Sequence, residues 1–158
     1  MCGILALYNP KADVAKDIYD GLIQLQHRGQ DAAGISSLDS SIMHLHKDTG
    51  LVTEVFKRTK SKANLTGNLG IGHVRYPTAG NNDVNDSQPF FTSNPVNIAL
   101  AHNGTLTNSD SIRDKLIKTH FCQFNTSSDS EALLNLFAFE LYKTCLLYTS
   151  DAADDFVR

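Results

Sequence analysis

The sequence predicts an α+β protein in which sheets are covered by helices, and three observations carry that reading. Short apolar or alternating runs of strand length stand at residues 2–7, 42–46 and 69–74. Segments with helical apolar spacing stand at residues 14–25, 108–118 and 132–141. Polar loops join them, and no internal repeat or low-complexity tract interrupts the order. Periodicity alone leaves the number of layers open.

The run over 2–7 has the character of a buried strand and ends at the turn signal Asn9-Pro10, so the amino terminus is drawn into the core. Asp13 is the expected N-cap of a helix whose stripe is Val14, Ile18, Leu22 and Leu25. The stretch from His27 to Gly34 is polar and small. Such a loop permits close backbone approach, since Gly29 and Gly34 can take positive φ, unless the stretch is a plain helix-to-strand connection. Residues 42–46 alternate Ile42, His44 and His46 against Met43 and Leu45, a half-buried strand with both histidines on one, solvent-facing side. Asp48-Thr49-Gly50 turns into a short helix over 51–56. Residues 69–74 form a strand with Gly70 and Gly72 leaving room for a neighbouring backbone. It delivers Arg75 at its end, before Tyr76-Pro77-Thr78-Ala79-Gly80 breaks it. Residues 81–88 are loop-like, Pro89-Phe90-Phe91 re-enters the core, and a strand over 96–101 ends in His102-Asn103-Gly104. A helix over 108–118 turns Ile112, Leu116 and Ile117 inward. Ser128 and Glu131 form a capping box for a last helix, apolar almost all round over 132–141 and expected to be deeply buried.

A chain of 158 residues, 41% apolar and 20% charged, suits one soluble globular unit. A net charge of −3 with scattered Lys and Arg gives no basic face, and Lys57-Arg58-Thr59-Lys60 reads as a solvated helix end, so nucleic acid is not an expected partner. No apolar run approaches the roughly 20 residues of a membrane span, and the start lacks the pattern of a secretory signal. The chain therefore reads as cytoplasmic, with no membrane partner. Cys2, Cys122 and Cys145 are odd in number and lack metal-ligand spacing, which argues against a disulfide framework and a zinc site.

Chemistry centres on Cys2. Once Met1 is removed, one residue carries both a thiol and a free α-amine, whose reference pKa near 7.7–8 leaves part of it unprotonated at neutral pH and able to take the thiol proton. Taken alone, such a cysteine is more often a small buried hydrophobe. Arg75 could be a strand-end ion pair, Asn103-Gly104 a type I′ turn, and Asp129 a favourable charge in a helix's first turn. Together they form a kit for hydrolysing an amino acid's side-chain amide. The thiolate is the nucleophile, a guanidinium grips an α-carboxylate, a carboxylate holds an α-ammonium, and an Asn amide with a Gly N–H donates to the oxyanion.

The stretches MCGI, IYDGLIQLQHRGQDAAGI, GNLGIGHVRYPTAG, LAHNGTLTN and TSSDSEALLN closely resemble the N-terminal glutaminase domain of the amidophosphoribosyltransferases, within the class II glutamine amidotransferases. The likeness covers residues 1–142. It implies an N-terminal-nucleophile (Ntn) hydrolase fold, a four-layer αββα sandwich, incomplete here. Mature Cys2 would attack glutamine, form a γ-glutamyl thioester and release ammonia. The resemblance assigns Arg75 and Asp129 to the glutamine α-groups and Asn103 and Gly104 to the oxyanion hole, and it places the loop with Arg28 and Gly29 near the nucleophile. QHRGQDAAG and GHVRYPTAG favour the purine enzyme over glucosamine-phosphate synthases, which resemble EYRGYDSAG and HTRWATHG.

In the longer relatives, ammonia would reach a phosphoribosyltransferase domain and displace pyrophosphate from phosphoribosyl pyrophosphate. That domain, expected to use Mg2+, is absent here, and the full-length enzyme is expected to be a homo-oligomer. The resemblance implies no cofactor for this segment and leaves open the iron–sulfur cluster that some family members carry downstream. The expected organisation is a partial amidotransferase domain over 1–144 and a non-native tail over 145–158, where CLLYTSDAADDFVR leaves the family pattern. Two alternatives stand beside this reading: an inactive truncated piece with exposed apolar surface and unpaired edges, or the glutaminase domain of another class II amidotransferase such as glucosamine-phosphate synthase.

Overall fold

The computed structural model describes residues 1–57, 64–76 and 84–154, with the side chains of 145–154 outside that set. Residues 58–60 of the expected helix end, 77–80 of the expected strand break, 81–83 of the loop after it, and 155–158 of the expected tail lie outside the described residues.

Four antiparallel strands form the main sheet: β1 (Gly3–Tyr8), β2 (Ala32–Asp39), β3 (Ile42–Thr49) and β4 (Leu69–Arg75), in the order β1-β4-β2-β3. The register pairs Gly3 with Val74, Ile4 with His73, and Ala32 with Arg75. Directly opposed residues of an antiparallel pair share a face and alternate residues change face. His73 and Arg75 therefore point to the same side as Ile4, and Val74 to the other.

The Val74 side is closed by helix α1 (Ala15–Leu25) and the short helix α2 (Val52–Val55). Ile18 and Leu22 settle on Gly70 and Gly72, where an added Cβ would collide with them. These glycines admit helix side chains, in place of the neighbouring backbone expected from the sequence. Val14, Ile18, Leu22, Ile35, Val52, Phe56 and Val74 form the buried core, with Tyr19 and His46 edge-on to Phe56.

On the opposite face sits a two-stranded sheet, β5 (Phe90–Thr92) with β6 (Ile98–Leu100). Lys47 holds it by donating to the carbonyls of Asn85 and Ser87 and lying 4.8 Å from the Phe90 ring centre. Beyond it pack α3 (Ser109–His120) and α4 (Asp129–Asp154), giving the layer order helix, sheet, sheet, helix. No described helix is long and apolar enough to cross a membrane.

Several local expectations change. Asp13 does not cap α1; its carboxylate accepts the Gly67 N–H at 2.7 Å, because the chain returns there from far along the sequence. β1 lies at an edge and alternates, with Ile4 and Tyr8 exposed. Gly29 is extended at φ −165° and Gly34 is a strand residue without positive φ, so both serve close approach. His44 and His46 face inward, paired with Thr66 Oγ1 and the Val55 carbonyl, instead of solvent. Ile117, Phe137 and Leu141 are exposed, while Leu116 of α3 and Ala132, Leu134 and Ala138 of α4 are buried. Ser128 accepts the Ser130 N–H, while Glu131 reaches past it to Asn125 and Thr126.

Candidate active site

Cys2 stands just before β1, half-buried, with Met1 beyond it 81% exposed. Its carbonyl accepts two donors, Arg28 Nε at 3.1 Å and Asn103 Nδ2 at 3.0 Å. Its sulfur receives the Tyr76 N–H at 3.4 Å. The other free cysteine among the described residues, Cys122, has its thiol pushed up by burial and by the Glu131 carboxylate.

Gly29 sets the approach of these groups. A Cβ there would lie 2.5 Å from the Arg75 carbonyl carbon and 2.8 Å from the Tyr76 nitrogen, closer than carbon tolerates. Asp31 N–H donates to the Arg75 carbonyl, and the Gln26 side chain joins the Gly29 carbonyl to the Val52 N–H. The loop expected near Cys2 lies there, with Arg28 on the Cys2 carbonyl and Gly29 against the Arg75–Tyr76 backbone.

A cavity of about 810 Å³ opens beside the sulfur, lined among others by Cys2, His73, Arg75, Asn103, Gly104 and Asp129. Arg75 Nη1 is buried there with no hydrogen-bond partner. Asp129, the first residue of α4, accepts the Leu106 N–H at 2.7 Å through Oδ2 and the Ser130 hydroxyl through Oδ1. Asn103-Gly104 is no hairpin turn: it leaves β6 and runs into the cavity wall. Gln88 clamps both backbone groups of His102, accepting its N–H at 2.6 Å and donating to its carbonyl at 3.1 Å. Gly104 is packed against the His102 ring, whose Nδ1 meets Ser130 Oγ.

All the residues expected from the sequence thus meet at one place. Sequence reasoning missed His73, Gln88, His102 and the Tyr76 N–H. The parity of His73 with Arg75 along one strand was the signal available for the first. Its ring is 1% exposed, and burial above all, with the Arg75 charge adding to it, lowers its pKa to about 4.

Residues 73–149 match the family model described as "Glutamine amidotransferase domain". Over that stretch this chain is similar to glutamine amidotransferase domains. The match runs past residue 144. Amidophosphoribosyltransferase of Escherichia coli is 50% identical over 142 residues, covering 89% of this chain and 28% of that relative. A solved structure of the allosteric regulatory enzyme of purine biosynthesis superposes with a TM-score of 0.74 at 37% identity, over 86% of this chain and 29% of that one. The Bacillus subtilis glutamine phosphoribosylpyrophosphate amidotransferase complexed with ADP and GMP gives 0.72 at 36% identity, with the same two coverages. The chain thus spans under a third of the length of these relatives, and its fold is the αββα sandwich of N-terminal-nucleophile hydrolases.

Proposed function

We propose that this domain hydrolyses the side-chain amide of glutamine and supplies ammonia to a phosphoribosyltransferase that makes phosphoribosylamine from phosphoribosyl pyrophosphate, the opening step of purine synthesis. The observation that carries the reading is the shared cavity of the Cys2 sulfur, a buried guanidinium nitrogen without a partner, and the Asp129 carboxylate. These suit a nucleophile and the two opposite charges of one amino acid.

Removal of the exposed Met1 frees the Cys2 α-amine. That amine takes the thiol proton, and sulfur attacks the glutamine Cδ while Arg75 holds the α-carboxylate and Asp129 the α-ammonium. Asn103 Nδ2 and the Gly104 N–H receive the developing oxyanion. Collapse of the tetrahedral intermediate breaks the C–N bond, and the proton leaves with ammonia. Water then cleaves the γ-glutamyl thioester to glutamate. Phosphoribosyl pyrophosphate and its Mg2+ belong to the partner half of the longer protein. Among the described residues, no group of three or more His, Cys, Asp or Glu side chains comes together to offer a metal site.

The test is Cys2→Ala in the full-length protein. Glutamine-dependent activity should vanish while synthesis from free ammonium continues; retained glutamine hydrolysis would refute the reading. A second reading, that this chain alone does not turn over glutamine, is favoured by the exposure of Ile4, Tyr8 and Leu69 on one sheet face. Soluble, cooperatively melting 158-residue protein with steady glutaminase turnover would exclude it.

A further inference from the structure

Asn103 and Gly104 stand on a stretch that has already left the small sheet, since β6 ends at Leu100. The β5–β6 register sets Phe90 against Leu100, so its continuation would bring Gln88 opposite His102. The ladder stops at Phe90, and the residue before it, Pro89, has no N–H to give. Main-chain groups sheltered from water need partners, and here a side chain supplies them. The Gln88 amide accepts the His102 N–H at 2.6 Å through Oε1 and donates to the His102 carbonyl at 3.1 Å through Nε2. A side-chain amide carries the same donor and acceptor as a peptide group, so Gln88 prolongs the pairing where the backbone does not.

Gln88 is itself seated on the main sheet. Its carbonyl oxygen and the Pro89 ring lie against Gly34 of β2, where an added Cβ would collide with both. Just before it, Lys47 of β3 donates to the carbonyls of Asn85 and Ser87. The same sheet carries Cys2 at the start of β1 and Arg75 at the end of β4. One side chain therefore joins the sheet that places the nucleophile to the loop that faces it. Holding both the N–H and the C=O of His102 fixes the peptide planes on either side of that residue, and the second plane leads directly into Asn103. From there Asn103 Nδ2 reaches the Cys2 carbonyl at 3.0 Å, and Gln88, Asn103 and Gly104 border one cavity.

We infer that Gln88 is a positioning residue: its side-chain amide stands in for a strand partner to His102 and so sets the backbone from which Asn103 and Gly104 meet the oxyanion. The inference rests on the glutaminase reading and concerns the same site.

In the full-length protein, Gln88→Leu should lower kcat for glutamine hydrolysis by roughly 10²-fold, the scale of a misplaced catalytic group or a lost oxyanion donor. KM should change less than about twofold, because Arg75 and Asp129 keep their hold on the α-groups and the loss falls on the transition state. A second comparison asks whether Gln88 acts through its neighbours. In an Asn103→Ala background the loss caused by Gln88→Leu should shrink several-fold, whereas a merely structural role would make the two losses multiply. Should the Leu variant not fold, Gln88→Glu takes its place in both comparisons: it matches the shape and keeps the acceptor for the His102 N–H but has no donor for the carbonyl, and the same split is expected. An unchanged kcat, a loss that appears in KM instead of kcat, or losses that multiply would each overturn the inference. Cys2→Ala separates the two readings. If that variant still hydrolyses glutamine the glutaminase reading fails, whereas normal turnover in Gln88→Leu beside an inactive Cys2→Ala sinks this inference alone.

Discussion

The Cys2 carbonyl takes two donors from far along the chain, and this fixes the residue on the side opposite its sulfur. With Arg28 and Asn103 holding the oxygen, the sulfur rests at the Tyr76 N–H. Tyr76 reaches that position only because Gly29 has no side chain to hold the end of β4 away. Gly29→Ala should therefore act on chemistry as well as on folding. Displacing the Arg75–Tyr76 backbone by even ~1 Å is expected to cost up to about 10²-fold in kcat. Alkylation of Cys2 by iodoacetamide should slow as the donor at sulfur withdraws, and the melting temperature should fall because the clash is with backbone. A variant that alkylates and turns over like the parent would show that the close contact is not needed.

At the scale of elements, α4 matters through the turn that leads into it. The Glu131 carboxylate accepts the N–H groups of Asn125 and Thr126 at 2.8 Å each and the Thr126 hydroxyl at 2.7 Å. Arg113 donates to the Ser128 carbonyl and lies over the Phe124 ring. This pins a turn whose residues 124–128 line the cavity and whose next residue is Asp129. Glu131→Gln keeps the shape but weakens acceptance by an ionised group. It should lower unfolding free energy by about 1–3 kcal/mol in urea titration and raise KM for glutamine as Asp129 loses its register. The elements themselves were largely legible: α1, β4 and the short helix after Gly50 follow from spacing and turn residues. Their surroundings were less so. Asp13 has the look of an N-cap and instead holds residue 67, and the apolar run of β1 suggests burial although the strand lies at an edge. Both depend on what arrives from elsewhere in the chain, which local pattern does not encode.

For the molecule as a whole, His73 ties stability to pH. Its folded pKa of about 4 lies below the ordinary 6.5, so between those values the unfolded chain binds a proton that the folded one refuses. The contribution is whole above about 6.5 and is lost as pH falls toward about 4, by roughly 3 kcal/mol at most. Urea midpoints at pH 7 and pH 5 should differ more in the parent than in His73→Gln, and equal differences would remove the ring from the account. Cys2, Arg75, Asn103, Gly104 and Asp129 were readable because each residue type suits a step of one chemistry. Gln88 acts on backbone and His73 is buried in the cavity wall, and only register and layer packing bring them to the site.

The donors around Cys2 lie 26, 74 and 101 positions away in sequence, and Asp129 lies farther still. The Cys2 sulfur is thus made well before the residues that enclose it. At ordinary translation rates the sulfur leaves the ribosome on the order of ten seconds before the last part of its shelter has been synthesised. Over that interval its defence against oxidants is the redox state of the surrounding fluid, not the protein.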